Sequence, residues 1–232
     1  MTVLKYCGNR SLQDVQLVAK SEADYIGFVF AESKRKVEPQ HVKRWLSVVQ
    51  LETKQIVGVF VHPTMTSVAS VLAHVPLSII QCHGMETIQT VKQLKETFQL
   101  PVWKAIHHAP EAWTYMRVWK GIADGFVIDS GRKGAWGGTG ISFDWSVVPY
   151  YMEEANRQGV PCFIAGGITP DNVEQLLAYD PFGIDMSSGI EENERKSEQK
   201  IKTIEQKVKT CCHYQMNAAV LACLVENLCL KH

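Results

Sequence analysis

A thiol and a carboxyl in this chain each stand at the end of a short apolar run. Cys7 closes the run Val3–Cys7 and is followed by Gly8, while Asp129 follows Gly125-Phe126-Val127-Ile128. A thiol has a reference pKa of about 8.5, so it can serve as a base where its surroundings favour thiolate. A carboxyl held protonated by partial burial can serve as an acid. Further on, Ala165-Gly166-Gly167 and Ser187-Ser188-Gly189 open directly from two more apolar runs. Small side chains let an anion approach main-chain N–H groups, the construction of a phosphate seat. Arg35, within Lys34-Arg35-Lys36, is the residue type that grips a carboxylate with two parallel hydrogen bonds.

Histidines also mark run ends: His62, His83 and His107. His83, after Gln81-Cys82, reads as a hydrogen-bonded histidine bordering the same site. No H-x-H spacing supports a metal centre, and neither metal nor cofactor is expected. Gly137-Gly138-Thr139-Gly140 is not a Walker loop, and no G-x-G-x-x-G follows the first run.

The elements that must position these groups recur eight times. Apolar runs fall at Val3–Cys7, Tyr25–Phe30, Ile56–Val61, Leu77–Cys82, Val102–Ile106, Gly125–Ile128, Pro161–Ala165 and Phe182–Met186. They are continuous rather than alternating, which suits strands covered on both faces. Stretches between them carry helical spacing, as in Val42, Trp45, Leu46 and Val49, or Ile201, Ile204 and Val208. Ser11 precedes the first helix, Pro39 suits a first turn, and Thr169-Pro170 is expected to open the seventh. Eight strand–helix units predict an α/β fold, a single (β/α)8 TIM barrel. Its chemistry would sit at the carboxyl ends of the strands. The rival, an open doubly wound sheet, seldom needs eight parallel strands. Lys5 shares parity with Cys7, and Asp185 lies on the closing neighbour strand. A Lys5–Asp185 ion pair inside the barrel is therefore expected, since an unpaired charge there is costly, the alternative being a Lys5 that snorkels to solvent.

A chain of 232 residues, 46% apolar and 21% charged, is normal for one such barrel. Residues 1–209 are expected to form the catalytic domain and 210–232 an atypical extension, helical or disordered. Lys+Arg and Asp+Glu both number 24, which argues for neither nucleic acid nor an anionic membrane as partner. No apolar run approaches the ~20 residues that span a bilayer, and no signal peptide is read at the N-terminus. Seven cysteines without zinc-finger spacing fit free thiols in a reducing cytoplasm.

Taken in order, Lys5-Tyr6-Cys7-Gly8, Gly27-Phe28-Val29-Phe30 with Ser33-Lys34-Arg35, Gln81-Cys82-His83-Gly84, Asp129 before Gly137-Gly138-Thr139-Gly140, Ala165-Gly166-Gly167 and Asp185-Met186-Ser187-Ser188-Gly189-Ile190-Glu191 carry a resemblance. Over about residues 3 to 208 the chain resembles the phosphoribosylanthranilate isomerase family of tryptophan biosynthesis. The resemblance implies an Amadori rearrangement of N-(5-phosphoribosyl)anthranilate to 1-(2-carboxyphenylamino)-1-deoxyribulose 5-phosphate. It implies Cys7 as the general base at C2 of the sugar and Asp129 as the general acid at the ring oxygen. Arg35 would meet the anthranilate carboxylate. His83 and Asp185 fall among the substrate-binding positions, and the phosphate would rest on Gly166, Gly167, Ser187, Ser188 and Gly189, with Gly137 and Gly138 nearby. It implies a monomer or homodimer with a phosphosugar substrate. Other phosphosugar barrels use other acid–base residues, the histidine-pathway isomerase typically a pair of aspartates. The chain departs from the family pattern at Tyr6, Asn9, His62 and after Glu191. There Asn193-Glu194-Arg195-Lys196-Ser197 replaces the usual Gly-x-Lys-Asp, a change expected to alter how the eighth loop is braced.

Overall fold

The computed structural model describes residues 2–131 and 142–211. Eight parallel strands close into a barrel in sequence order: β1 (Val3–Tyr6), β2 (Tyr25–Val29), β3 (Gln55–Phe60), β4 (Ile79–Cys82), β5 (Val102–His107), β6 (Gly125–Asp129), β7 (Cys162–Ala165) and β8 (Gly183–Met186). Closure is made by β8 on β1, with Lys5 opposite Asp185. All eight expected runs are strands, most of them trimmed by one or two residues at their ends.

Helices cover the outside: α1 (Leu12–Ala19), α2 (Pro39–Leu46), α3 (Met65–Leu72), α4 (Ile88–Phe98), α5 (Ala112–Tyr115), α6 (Val148–Gln158), α7 (Val173–Leu177) and α8 over 198–211. Ser11 caps α1 by accepting the Asp14 N–H, and Pro39 occupies the first turn of α2. The seventh helix starts later than expected. Thr169 and Pro170 form a preceding turn, in which the Thr169 carbonyl accepts the N–H groups of Asn172 and Val173. No helix among the described residues is long and apolar enough to cross a membrane. Helix α8 runs through residue 211, past the expected domain limit at 209.

Odd-numbered strand residues face the barrel interior. Its floor is an aromatic plug, Tyr25, Trp103 and Phe163, with ring centroids 4.9–5.5 Å apart. The plug fits because Gly125 and Gly183 face it. A Cβ on either would come within 2.6 Å of a Trp103 or Phe163 ring atom. Val57, Val59, Ile79, Ala105 and Val127 fill the next level. With the floor sealed, the polar interior layer among the described residues lies toward the carboxyl ends of the strands.

Beyond β8, a short hairpin pairs Glu191-Glu192 (β9) with Arg195-Lys196 (β10). Asn193 and Glu194 form its tip at φ 47° and 61°, a pair of positive angles that tight hairpins require. The left-handed region costs a non-glycine residue about 1 kcal/mol or more. Glu194→Gly should therefore raise Tm by about 1–3 °C in a thermal melt, net of an exposed ion pair with Arg10 worth little. A lower Tm would mean that the ion pair outweighs the backbone strain.

Candidate active site

Cys7 sits just past β1 with its thiol over Gly27, where a Cβ would lie 2.6 Å from Sγ. Asn9 fixes this turn: its amide donates to the carbonyls of Tyr6 (2.8 Å) and Gly27 (3.0 Å). That gives a reason for a buried amide at a position where the chain departs from the family pattern. The expected ion pair is present, with Lys5 Nζ 2.6 Å from Asp185 Oδ2 and both side chains buried. Asp185 Oδ1 is buried without a hydrogen-bond partner.

Asp129 ends β6, and its Oδ2 lies 3.0 Å from His83 Nε2. Gln81 Nε2 lies 3.0 Å from His83 Nδ1. An amide N–H on Nδ1 leaves Nε2 as the protonated nitrogen, so the imidazole donates to the carboxylate. The expectation that burial keeps Asp129 protonated is not met. Burial does push the carboxyl up, but the hydrogen bond from His83, the electrostatic influence of the His83 and His107 rings and the Gly131 N–H outweigh it. The net shift is below the ordinary aspartate value. Burial pushes the Cys7 thiol up, with Asp185 adding to that and Lys5 and Lys196 opposing it.

Arg35 does make a two-pronged carboxylate contact, but to Glu191: Nε to Oε1 at 2.8 Å and Nη2 to Oε2 at 2.7 Å. The arginine stem crosses Gly8, where a Cβ would sit 2.4 Å from Arg35 Cδ. Despite burial, the Arg35 and Lys196 cations hold Glu191 down to about 2. Lys196 is itself buried. Its ammonium reaches the carbonyls of Cys7 (2.6 Å) and Ser187 (3.2 Å) and the Glu191 carboxylate (3.2 Å). The altered segment thus retains a lysine that ties the eighth loop to the base of the Cys7 turn.

One cavity of about 400 Å³ brings these groups together. Its wall includes Cys7, Arg35, Gln81, His83, Asp129 and Asp185, with Gly166, Gly167, Ile168, Ser187, Ser188 and Gly189 on one side. Gly166 and Gly167 have φ 84° and 66°. A Cβ at Gly166 would strike Ser130, and one at Gly189 would lie 1.7 Å from the Ile168 carbonyl oxygen. At Gly189 the eighth loop therefore packs directly on the backbone of the seventh. The hydroxyls of Ser130 and Ser187 are buried without partners, as polar groups kept for a ligand would be. Gly137 and Gly138 lie outside the described residues. Among those described, no group of three His, Cys, Asp or Glu side chains is arranged to hold a metal ion.

Residues 4–207 match the family model of N-(5'-phosphoribosyl)anthranilate isomerase. The chain belongs to this family. It is 58% identical over 209 residues to the isomerase of Geobacillus thermodenitrificans, covering 90% of this chain and 95% of that one. Among solved structures it is similar to a phosphoribosylanthranilate isomerase in complex with reduced 1-(o-carboxyphenylamino)-1-deoxyribulose 5-phosphate (TM-score 0.76, 26% identity, 90% and 100% of the two chains). It is also similar to monomers generated from the dimeric Thermotoga maritima isomerase (TM-score 0.75, 28% identity, 90% and 100%). The isomerase activity and its step in tryptophan biosynthesis are those of the family.

Reading the sequence missed three members of the site. Gln81 carried a signal, a polar residue at an inward position of an apolar strand. Glu191 and Lys196 carried none, because their reach depends on the hairpin tip between them.

Proposed function

We propose that the cavity opens the phosphoribosyl ring of N-(5-phosphoribosyl)anthranilate and isomerises it, with Asp129 as acid and Cys7 as base. The observation that carries this reading is the shared wall. The thiol, the carboxyl and a backbone-lined anion seat border one cavity above a sealed floor. Asp129 gives a proton to the ring oxygen as the anomeric C–O bond breaks and the anilino nitrogen lone pair forms C=N. The Cys7 thiolate then removes the proton from C2, and that electron pair closes the enamine. Bound phosphate and carboxylate add two anions to the cavity that Asp129 lines, and added negative charge raises its affinity for the proton it must deliver.

The phosphate sits on the loops of Gly166–Ile168 and Ser187–Gly189, whose glycines admit it to main-chain N–H groups. Asp185 Oδ1 is placed to accept a sugar hydroxyl, and His83 acts by holding Asp129. Arg35 meets the anthranilate carboxylate with the guanidinium edge that Glu191 leaves over. Residues 1–209 form the catalytic domain, acting in the cytoplasm as a monomer or homodimer.

The test generates the substrate in situ and follows loss of its anthranilate-type fluorescence on adding the purified protein. No acceleration would reject the reading. Arg35→Ala should raise KM about 10-fold or more with a smaller change in kcat. Unchanged values of both would remove the carboxylate contact.

A further inference from the structure

Two buried lysines next to the thiol take no part in the acid–base pair. Lys5, on β1, is fully buried inside the barrel, two residues before Cys7 on the same strand face. Its ammonium holds Asp185 at 2.6 Å, and its charge and the Cys7 thiolate favour one another. Burial alone would drive the proton off Lys5. Asp185 and Cys7 together more than reverse this, so Lys5 stays charged. Such a placement is expensive unless the charge is used or fully paired.

We infer that Lys5 is a positioning residue for the Cys7 base: it holds the thiolate by its buried charge, and Asp185 sets how much of that charge Cys7 receives. The inference rests on Cys7 as the base of the proposed reaction. The charged groups facing Cys7 are Lys5 from β1, Asp185 from β8, Lys196 from the β9–β10 hairpin and Arg35 from the loop after β2. Lys196 is the weaker ally, since burial drives its own affinity for the proton below the ordinary lysine value. Its ammonium is engaged with the Cys7 carbonyl, not the sulfur.

Lys5 and Asp185 therefore act on the thiol in opposite directions, and that opposition is the test. Iodoacetamide alkylation of Cys7 in the full-length protein, read by mass spectrometry of the Cys7 peptide across pH, reports the thiolate fraction directly. Lys5→Met should move the midpoint of reactivity up by about one pH unit or more, and Asp185→Asn should move it down. Because Lys5→Met leaves Asp185 unpaired and can fail to fold, the double variant Lys5→Met/Asp185→Asn is measured too. Its midpoint should lie above that of Asp185→Asn alone. Lys5 charge serving only to pair Asp185 would leave all midpoints within about 0.3 pH units of the wild type. That result, or shifts of the same sign in the two single variants, overturns the inference. Because alkylation is read without turnover, an active Cys7→Ala enzyme would reject the base assignment and leave this coupling measurable.

Discussion

Cys7→Ala is expected to lower kcat/KM by at least about 10²-fold, within the 10²–10⁴-fold range of a positioned general base. The reason lies in how the other groups around the cavity are committed. Asp185 is bound to Lys5, Asp129 to His83, and Glu32 to Lys36 at the exposed rim. Glu191, behind Arg35, is held by two cations. Taking the C2 proton would cancel, on any of these carboxylates, the charge on which its ion pair or charge-assisted hydrogen bond rests. Cys7 alone among them carries no fixed partner that its basic form must abandon. Its thiolate instead gains the Lys5 ammonium. Alanine also leaves the turn intact, because Asn9 and Lys196 hold that turn through backbone carbonyls and not through sulfur. A loss of turnover would therefore report chemistry and not collapse, and an unchanged melting curve is the control. Near-normal turnover in Cys7→Ala would take the thiol out of the mechanism.

How far this site was legible in the sequence depends on whether each feature is set by strand parity or by what lies between strands. The barrel was legible because a strand buried on both faces needs a continuous apolar run, and eight such runs occur. Parity then placed Lys5 and Cys7 inside, and closure of β8 on β1 delivered Asp185 to Lys5. The state of Asp129 was not legible. It depends on His83 reaching it from two strands away, and on Gln81 fixing which imidazole nitrogen carries the proton. The occupied edge of Arg35 was equally hidden, since Glu191 lies 156 positions further along the chain. The departure at His62 does have a local account. Its φ is 48°, a left-handed conformation in which asparagine and histidine are both over-represented among non-glycine residues. The family's usual asparagine can thus give way to histidine without a change of backbone.

Asp129→Asn should also cost at least about 10²-fold in kcat/KM, and it should change the shape of the pH profile. Asparagine keeps the size of the side chain and can still accept the His83 N–H, so the loss isolates the transferable proton. The sign follows from the two shifts. The thiol lies above its ordinary value and the carboxyl below. Between those values, raising the pH by one unit makes thiolate about tenfold more abundant and the protonated carboxyl about tenfold scarcer. The two changes cancel, so wild-type kcat/KM should be flat through neutrality although the reactive combination is always a minority. Removing the carboxyl removes one side of that balance. The residual rate of Asp129→Asn should then rise with pH by up to about tenfold per unit, following the thiolate alone. A profile in Asp129→Asn that stays flat would mean that Cys7 does not enter the reaction as thiolate. Turnover close to wild type would mean that another group protonates the ring oxygen.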